Sequence, residues 1–231
     1  MLQTFQDTLG RIASLDPEVV SVAWLSLRVS IGAVLLGTLI GLPLGALLAV
    51  TAFPGRSALV GLLNAAMGLP PVVIGLVLYL LLSRSGPLGS LGILFTPTAM
   101  IAAQAVLVTP LIAALSRQIV ADAEGHLGEQ LRSLRLNPWQ RAATLVFDAR
   151  FSLTTAILAA FGRAISEIGA VLVVGGNIAG HTRTMTTAIS LETQKGDLAL
   201  ALALGLVLIG IVIAVNAAAA ILRTWTMRAY G

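Results

Sequence analysis

The 231-residue chain has no cysteine, one lysine, two histidines and only 10% charged residues. Without cysteine there are no disulfide frameworks, no thiol nucleophiles and no thiolate metal sites. His126 and His181 lie far apart in sequence and are too few for a histidine-rich metal site. A soluble domain carries about 25% charged and about 45–50% apolar residues. Here the hydrophobic set reaches 57% and the mean hydropathy is +0.96, which excludes an ordinary water-soluble fold. The net charge of +4 and a pI near 10.6 come from arginines dispersed through an oily chain. Nucleic-acid binding needs basic residues clustered on a polar face, so this placement argues for arginines flanking membrane spans and against a nucleic-acid partner. A Gly-x-x-x-x-Gly-Lys-Ser/Thr phosphate loop is also missing, so the chain has no motif of its own for ATP hydrolysis.

What is present is long apolar runs. A helix crossing a bilayer core of about 30 Å needs roughly 20 such residues. Five runs qualify, from about Val22 to Val50, Ala58 to Leu82, Thr98 to Leu115, Leu153 to Val174, and Leu198 to Leu222. The sequence therefore predicts an all-α, polytopic membrane bundle of about five transmembrane helices, read as one domain over residues 1–231. Residues Met1 to Val20 carry Asp7, Arg11, Asp16 and Glu18 and no apolar core, which reads as an interfacial helix with Leu2, Phe5, Leu9 and Ile12 near one face and not as a cleaved signal peptide. No added regulatory domain is expected after the fifth run, which ends near Leu222.

Basic residues set the sidedness, because cytoplasmic loops carry the positive excess. The segment between spans three and four holds Arg117, Arg132, Arg135, Arg141 and Arg150, and placing it inside also puts Arg56, Arg223 and Arg228 inside. Arg11, Arg84, Arg183 and Lys195 then fall outside, with Arg28 and Arg163 in or at the ends of spans. The expectation is a multi-pass protein of the bacterial cytoplasmic membrane with its N-terminus outside and its C-terminus in the cytoplasm.

That inner segment is patterned. Leu127, Leu131 and Leu134 form an i, i+4, i+7 stripe, Asn137 and Pro138 interrupt it, and a second helix carrying Trp139, Ala142, Leu145 and Val146 should begin near Pro138. A short helix with apolar knobs and arginines beneath a bundle suits docking to a soluble partner, although a solvated connector has the same pattern. The run from Glu129 through Trp139 resembles the cytoplasmic "EAA" loop of ABC-importer permeases. Glu129, Leu134, Pro138 and Trp139 fall in register. Gln130 and Leu131 stand for the two alanines, Arg135 for the glycine, and Asp148 where a proline is common. With the glycine replaced, Asn137, which tolerates a left-handed backbone, is the candidate for the bend. The resemblance implies a cytoplasmic coupling helix within residues 117–150, with Glu129, Leu131, Leu134, Asn137, Pro138 and Trp139 at the contact with an ATPase subunit.

The fourth run holds Glu167, and an ionisable group there faces a bundle interior or a water-filled path. Arg163 stands four residues earlier, so a structural Arg163–Glu167 pair and a functional site are both open. Gly162, Ser166 and Gly169 add a stripe of small residues suited to close packing or to a path. Beyond it lie Asn177, Thr182, Arg183, Thr184, Thr186 and Thr187, hydroxyls around an arginine that suit either an oxyanion path or a plain polar loop.

The stretch from Gly162 to Ile189 is similar to tungstate-importing ABC permeases and, with more substitutions, to molybdate permeases; Leu69 to Gly89, with Pro70 and Pro71, fits the same group. The resemblance implies a homodimer in the lipid bilayer moving an oxyanion, tungstate ahead of molybdate or another oxyanion, by alternating access. Its partners would be an ATP-binding subunit that uses ATP and Mg and an extracytoplasmic oxyanion-binding protein, with no cofactor held by this chain. The path would include spans two to four, with an irregular helix at Pro70 and Pro71. The competing classes are an ion-coupled secondary carrier using Glu167 and an intramembrane enzyme, which would need a nucleophile and base the spans do not supply.

Overall fold

A computed structural model describes residues 2–230, with side chains for residues 4–218, 220 and 221. Among the described residues there are ten α-helices, a single 3₁₀ turn and no strand. They are α1 (Leu2–Ala13), α2 (Pro17–Val50), α3 (Arg56–Ala66), α4 (Pro71–Leu82), the turn Gly89–Leu91, α5 (Pro97–Ser133), α6 (Pro138–Asp148), α7 (Arg150–Ile165), α8 (Gly169–Gly175), α9 (Met185–Lys195) and α10 (Leu198–Tyr230). The chain is the all-helical, polytopic bundle that its composition requires.

Two long helices form the spine. α2 starts at Pro17, whose missing N–H costs nothing at the first helical position, with Asp16 accepting a hydrogen bond from the Glu18 N–H at 2.9 Å. Its Gly37, Gly41 and Gly45 repeat every four residues and face α5. A Cβ at Gly37 would lie 2.8 Å from the Val108 side chain, and one at Gly41 2.7 Å from the Thr109 carbonyl oxygen. Gly45 sits directly against the backbone of Ala113. Small residues at this spacing let two backbones approach closely, the main source of helix association where lipid removes the hydrophobic drive. The residue numbers on the two helices rise together along the contact, so α2 and α5 run parallel, and the segment between them must return across the bundle.

Three helices are long and apolar enough to span a membrane unaided: Pro17–Val50, Pro97–Ser133 and Leu198–Ala218. The expected second and fourth spans are not continuous. α3 and α4 meet at 99° across residues 67–70, where Pro70 and Pro71 lack donors and restrict the residues before them. The run predicted from Leu153 to Val174 is interrupted between α7 and α8. Ser166 turns its hydroxyl back onto the Gly162 and Arg163 carbonyls at 2.8 and 3.1 Å, and Glu167 Oε1 accepts from the Ala170 N–H at 3.3 Å. Hydropathy alone reads both runs as spans because apolar content continues through the break.

The segment between the third and fourth runs also differs from a separate helical hairpin. α5 continues without interruption to Ser133, about 55 Å of helix at 1.5 Å per residue, far more than a bilayer core. The bend after it falls on Arg135, at φ 54°, and not on Asn137. Asn137 instead has φ −71° and caps α6, accepting from the Gln140 N–H at 2.9 Å while the Gln140 side chain accepts from the Asn137 N–H at 3.0 Å. An asparagine before proline is better used as a helix cap than as a left-handed hinge, since the following ring favours extended backbone.

α1 lies across the start of α10. Thr8 is buried and donates to the Ala199 carbonyl at 3.1 Å, and Ile12 packs on the core, while Phe5 and Leu9 face outward. The expected apolar face is thus split between protein and surroundings; the Leu2 side chain, like those of Arg223 and Arg228, lies outside the described residues.

Candidate functional site

The first candidate is the hook formed by the end of α5 and by α6. Leu131, Ala142 and Leu145 are buried in a cluster with Ala46 and Val50 of α2, which anchors the hook to the end of the first span. Glu124 of α5 accepts from Arg132 of the same helix at 3.1 Å and, across the bend, pairs closely with Arg141 of α6, with both members of the Glu124–Arg141 pair largely shielded from solvent. This clamp fixes the angle between the two helices.

What remains outside is apolar. Leu134 is 68% exposed, Trp139 67% and Phe147 69%, and Glu129, Asn137 and Pro138 are exposed beside them. Of the six residues expected at a partner contact, five lie on the surface of the hook, and Leu131 is the exception because its side chain supports the hook from within.

The second candidate lies where the two breaks meet. α4 and α8 begin at the breaks and pack face to face. A Cβ on Gly75 would come within 2.8 Å of Ala170 Cα, and one on Gly169 within 2.6 Å of the Val72 side chain. Leu69, Pro70, Val72 and Val73 on one side of this contact and Ser166 and Ile168 on the other are exposed, and so is Arg163, three residues before the second break. The site's depth follows from Gln104, whose buried amide donates to the Ala164 carbonyl at 2.8 Å. On α5, Gln104 lies between Ile101, opposite Gly32, and Val108, opposite Gly37. Arg163 therefore stands level with the uncharged stretch of α2.

Arg163 has no ion-pair or hydrogen-bond partner for its guanidinium among the described residues. The Arg163–Glu167 pair does not form, because α7 ends at Ile165 and the i, i+4 geometry ends with it. Irregular backbone and a lone cation at membrane depth are tolerated where they line water or protein, not hydrocarbon. Gly162, on the same helix, meets no atom within 4 Å of an added Cβ, so this face of α7 is open.

The run after α8 is different in kind. Thr182 is buried, donating to the Gly175 carbonyl at 2.5 Å and accepting from the Ile178 N–H at 3.0 Å. Thr184 and Thr187 form a reciprocal cap on α9, with Thr187 Oγ1 accepting from the Thr184 N–H at 3.0 Å and the two hydroxyls 3.1 Å apart. Thr186 donates to the Glu167 carbonyl at 2.9 Å. Arg183 faces Glu18 at 3.6 Å and Glu192 at 3.8 Å, and Lys195 joins Glu192 at 2.8 Å. These groups tie the loop after α8 to α2 and α9, so Thr182, Arg183 and Thr184 do not present a hydroxyl-lined path in this conformation. Asn177, at φ 50°, has a buried side-chain oxygen without a partner, beside a cleft of about 150 Å³ that Ile168 and Gln194 also line.

Sequence reasoning missed Gln104, Glu124, the pairing of Arg141, and Ser26, whose hydroxyl accepts from the Met185 N–H at 2.7 Å. A lone amide in an apolar run, as at Gln104, was the one available signal. No group of three potential metal ligands occurs among the described residues.

Residues 41–228 match the family described as "Binding-protein-dependent transport system inner membrane component". A "Probable anion ABC transporter permease protein" of Haloferax volcanii is 42% identical over 213 residues, 90% of this chain and 92% of that protein. The "Tungstate uptake system permease protein TupB" of Peptoclostridium acidaminophilum is 38% identical over 92% of this chain and 93% of its own length. Its namesake in Campylobacter jejuni is 39% identical over 60% and 58%. With the family match over most of its length and relatives about 40% identical across nine-tenths of it, the chain belongs to the family of binding-protein-dependent transport system inner membrane components.

Proposed function

We propose that this chain is the membrane-spanning subunit of an ATP-driven importer of an oxyanion, tungstate in the first instance. The observation that carries the reading is the unpartnered Arg163, three residues before the break between α7 and α8, at a depth where lipid would not hold it. Two copies facing each other across this surface would enclose a path containing two such cations, with Gly162 admitting the partner helix. Arg163 attracts the anion, Ser166 and the free ends of the broken helices line its route, and with no carboxylate paired to it among the described residues its charge is available.

In this reading residues 1–231 act as one unit and residues 117–150 form its coupling loop. Leu134, Pro138 and Trp139 enter a cleft of the ATP-binding subunit, Glu129 and Asn137 flank them, and the Glu124–Arg141 clamp passes movement to α2. ATP and Mg belong to that partner, and an extracytoplasmic binding protein delivers the anion. The arginine distribution supports a cytoplasmic hook in a bacterial-type inner membrane. Because α2 and α5 run parallel toward the hook, the start of α2 is then extracytoplasmic and α10 ends inside. Tungstate is favoured over molybdate by the tungstate-named relatives.

The test is ATP hydrolysis by the chain reconstituted in lipid with its ATPase, with binding protein loaded in turn with tungstate, molybdate and sulfate. Strongest stimulation by the tungstate-loaded form is expected. Strongest stimulation by another form reassigns the cargo, and uptake that follows an ion gradient without the ATPase overturns the importer reading in favour of a carrier.

A further inference from the structure

The half of α2 farthest from the hook carries another arginine without a partner among the described residues that the transport reading does not use. Arg28 is exposed and has neither a hydrogen-bond nor an ion-pair partner for its guanidinium among the described residues. It lines an open cleft of about 380 Å³ together with Ser21, Trp24, His181 and Arg183, and no acidic residue contributes to the lining. Arg183 arrives already matched by Glu18 and Glu192, so the net positive charge in the cleft belongs to Arg28.

Depth decides what the cleft faces. From Val29 to Val50 α2 has no charged residue, a length of about 33 Å at 1.5 Å per residue, close to a bilayer core of about 30 Å. Arg28 is therefore at the boundary between hydrocarbon and headgroups. Trp24, 68% exposed, stands one turn beyond it, and the exposed Ile31, Leu35 and Leu39 continue the same face one turn after another on the other side. An exposed indole, then a cation, then an apolar ladder matches the profile of a phospholipid seen from headgroup to acyl chain. An arginine suits an anionic phosphate in a fixed place better than a diffuse counterion, because its fork can donate two parallel hydrogen bonds.

We propose that the Trp24–Arg28–His181 cleft is a binding site for the phosphodiester of an anionic phospholipid, whose acyl chains lie along Ile31, Leu35 and Leu39. A free oxyanion has the same tetrahedral oxygen chemistry, and the apolar ladder below Arg28 is what favours the lipid. The inference needs only that α2 spans the membrane and does not depend on the nature of the cargo.

The test uses the full chain in detergent titrated with phosphatidylglycerol or phosphatidylcholine, with bound lipid counted by native mass spectrometry and unfolding followed by thermal shift. Wild type should retain phosphatidylglycerol preferentially, and R28Q should weaken that retention about fivefold, as expected for one cation near a lipid surface. R28K should restore part of it, and R84Q, which removes another exposed arginine, should leave it unchanged. Equal retention by wild type and R28Q, or equal loss in R28Q and R84Q, overturns the site. Displacement of phosphatidylglycerol by millimolar tungstate without the binding protein reassigns the cleft to the free anion and overturns the lipid.

Discussion

The hook at one side of the bundle and the threonine-rich loop at the other invert the usual expectation of where function resides. The loop between Asn177 and Thr187 is rich in groups that bind anions, yet its hydroxyls are buried and committed to backbone partners, and its arginine is matched by two carboxylates. The hook is rich in apolar side chains that a membrane protein has every means to bury, yet Leu134, Trp139 and Phe147 stay in the open. A polar group with all its partners in place is holding structure. An apolar or charged group left without one, as at Trp139 and Arg163, adds nothing to the fold of the described residues, and the proposed function gives it a use.

The contrast is broken or sharpened by substitutions on each side. The largest effect is expected from the double change Leu134→Asp and Trp139→Asp. ATP-driven uptake should fall about a hundredfold, because exposed aromatic anchors dominate docking energies, while the thermal unfolding of the isolated chain stays unchanged. A loss of stability instead would show that the two side chains are structural.

Next is Thr182→Val, which leaves the Gly175 carbonyl and the Ile178 N–H without their partner and should cost about 1–2 kcal/mol of stability. Transport per folded molecule should be preserved, so a folded but inactive variant would return the threonine run to the anion path. Arg163→Gln should reduce uptake about tenfold, or about 1.4 kcal/mol, with binding-protein-stimulated ATP hydrolysis retained. Unaltered uptake at normal expression would remove Arg163 from the path. The smallest effect is expected from Glu18→Gln. It weakens a half-exposed contact to Arg183 by less than about 1 kcal/mol, detectable as a modest fall in unfolding temperature that high salt abolishes.

Much of the hook was legible in the chain. Pro138 has to open a helix, Asn137 before it has the side chain to cap one, and the leucine stripe before them has helical spacing. What the spacing could not assign was direction. Leu131 and Leu134 belong to one stripe, but α5 ends at Ser133, so Leu131 turns into the core while Leu134 swings out. The bend likewise fell on Arg135 and not on the asparagine with the better intrinsic tolerance, because capping α6 fixed Asn137 in an extended backbone. At the second site the ionisable residues of the fourth run were visible, and their pairing was not. The i, i+4 argument for Arg163 and Glu167 assumed a helix that Ser166 and Glu167 themselves terminate by hydrogen-bonding the backbone.

The sequence by itself determined that this chain is a polytopic helical membrane protein and where its helices are interrupted by a proline-started hook. Those properties follow from transfer free energies and local backbone restrictions, which act residue by residue. Only the tertiary structure decided which spans are broken, which polar groups are satisfied and which cations are left over. A hydrogen bond such as Gln104 to Ala164 or Thr186 to Glu167 joins residues far apart in the chain. Whether a buried group is costly or content depends on that partner, which no local pattern specifies.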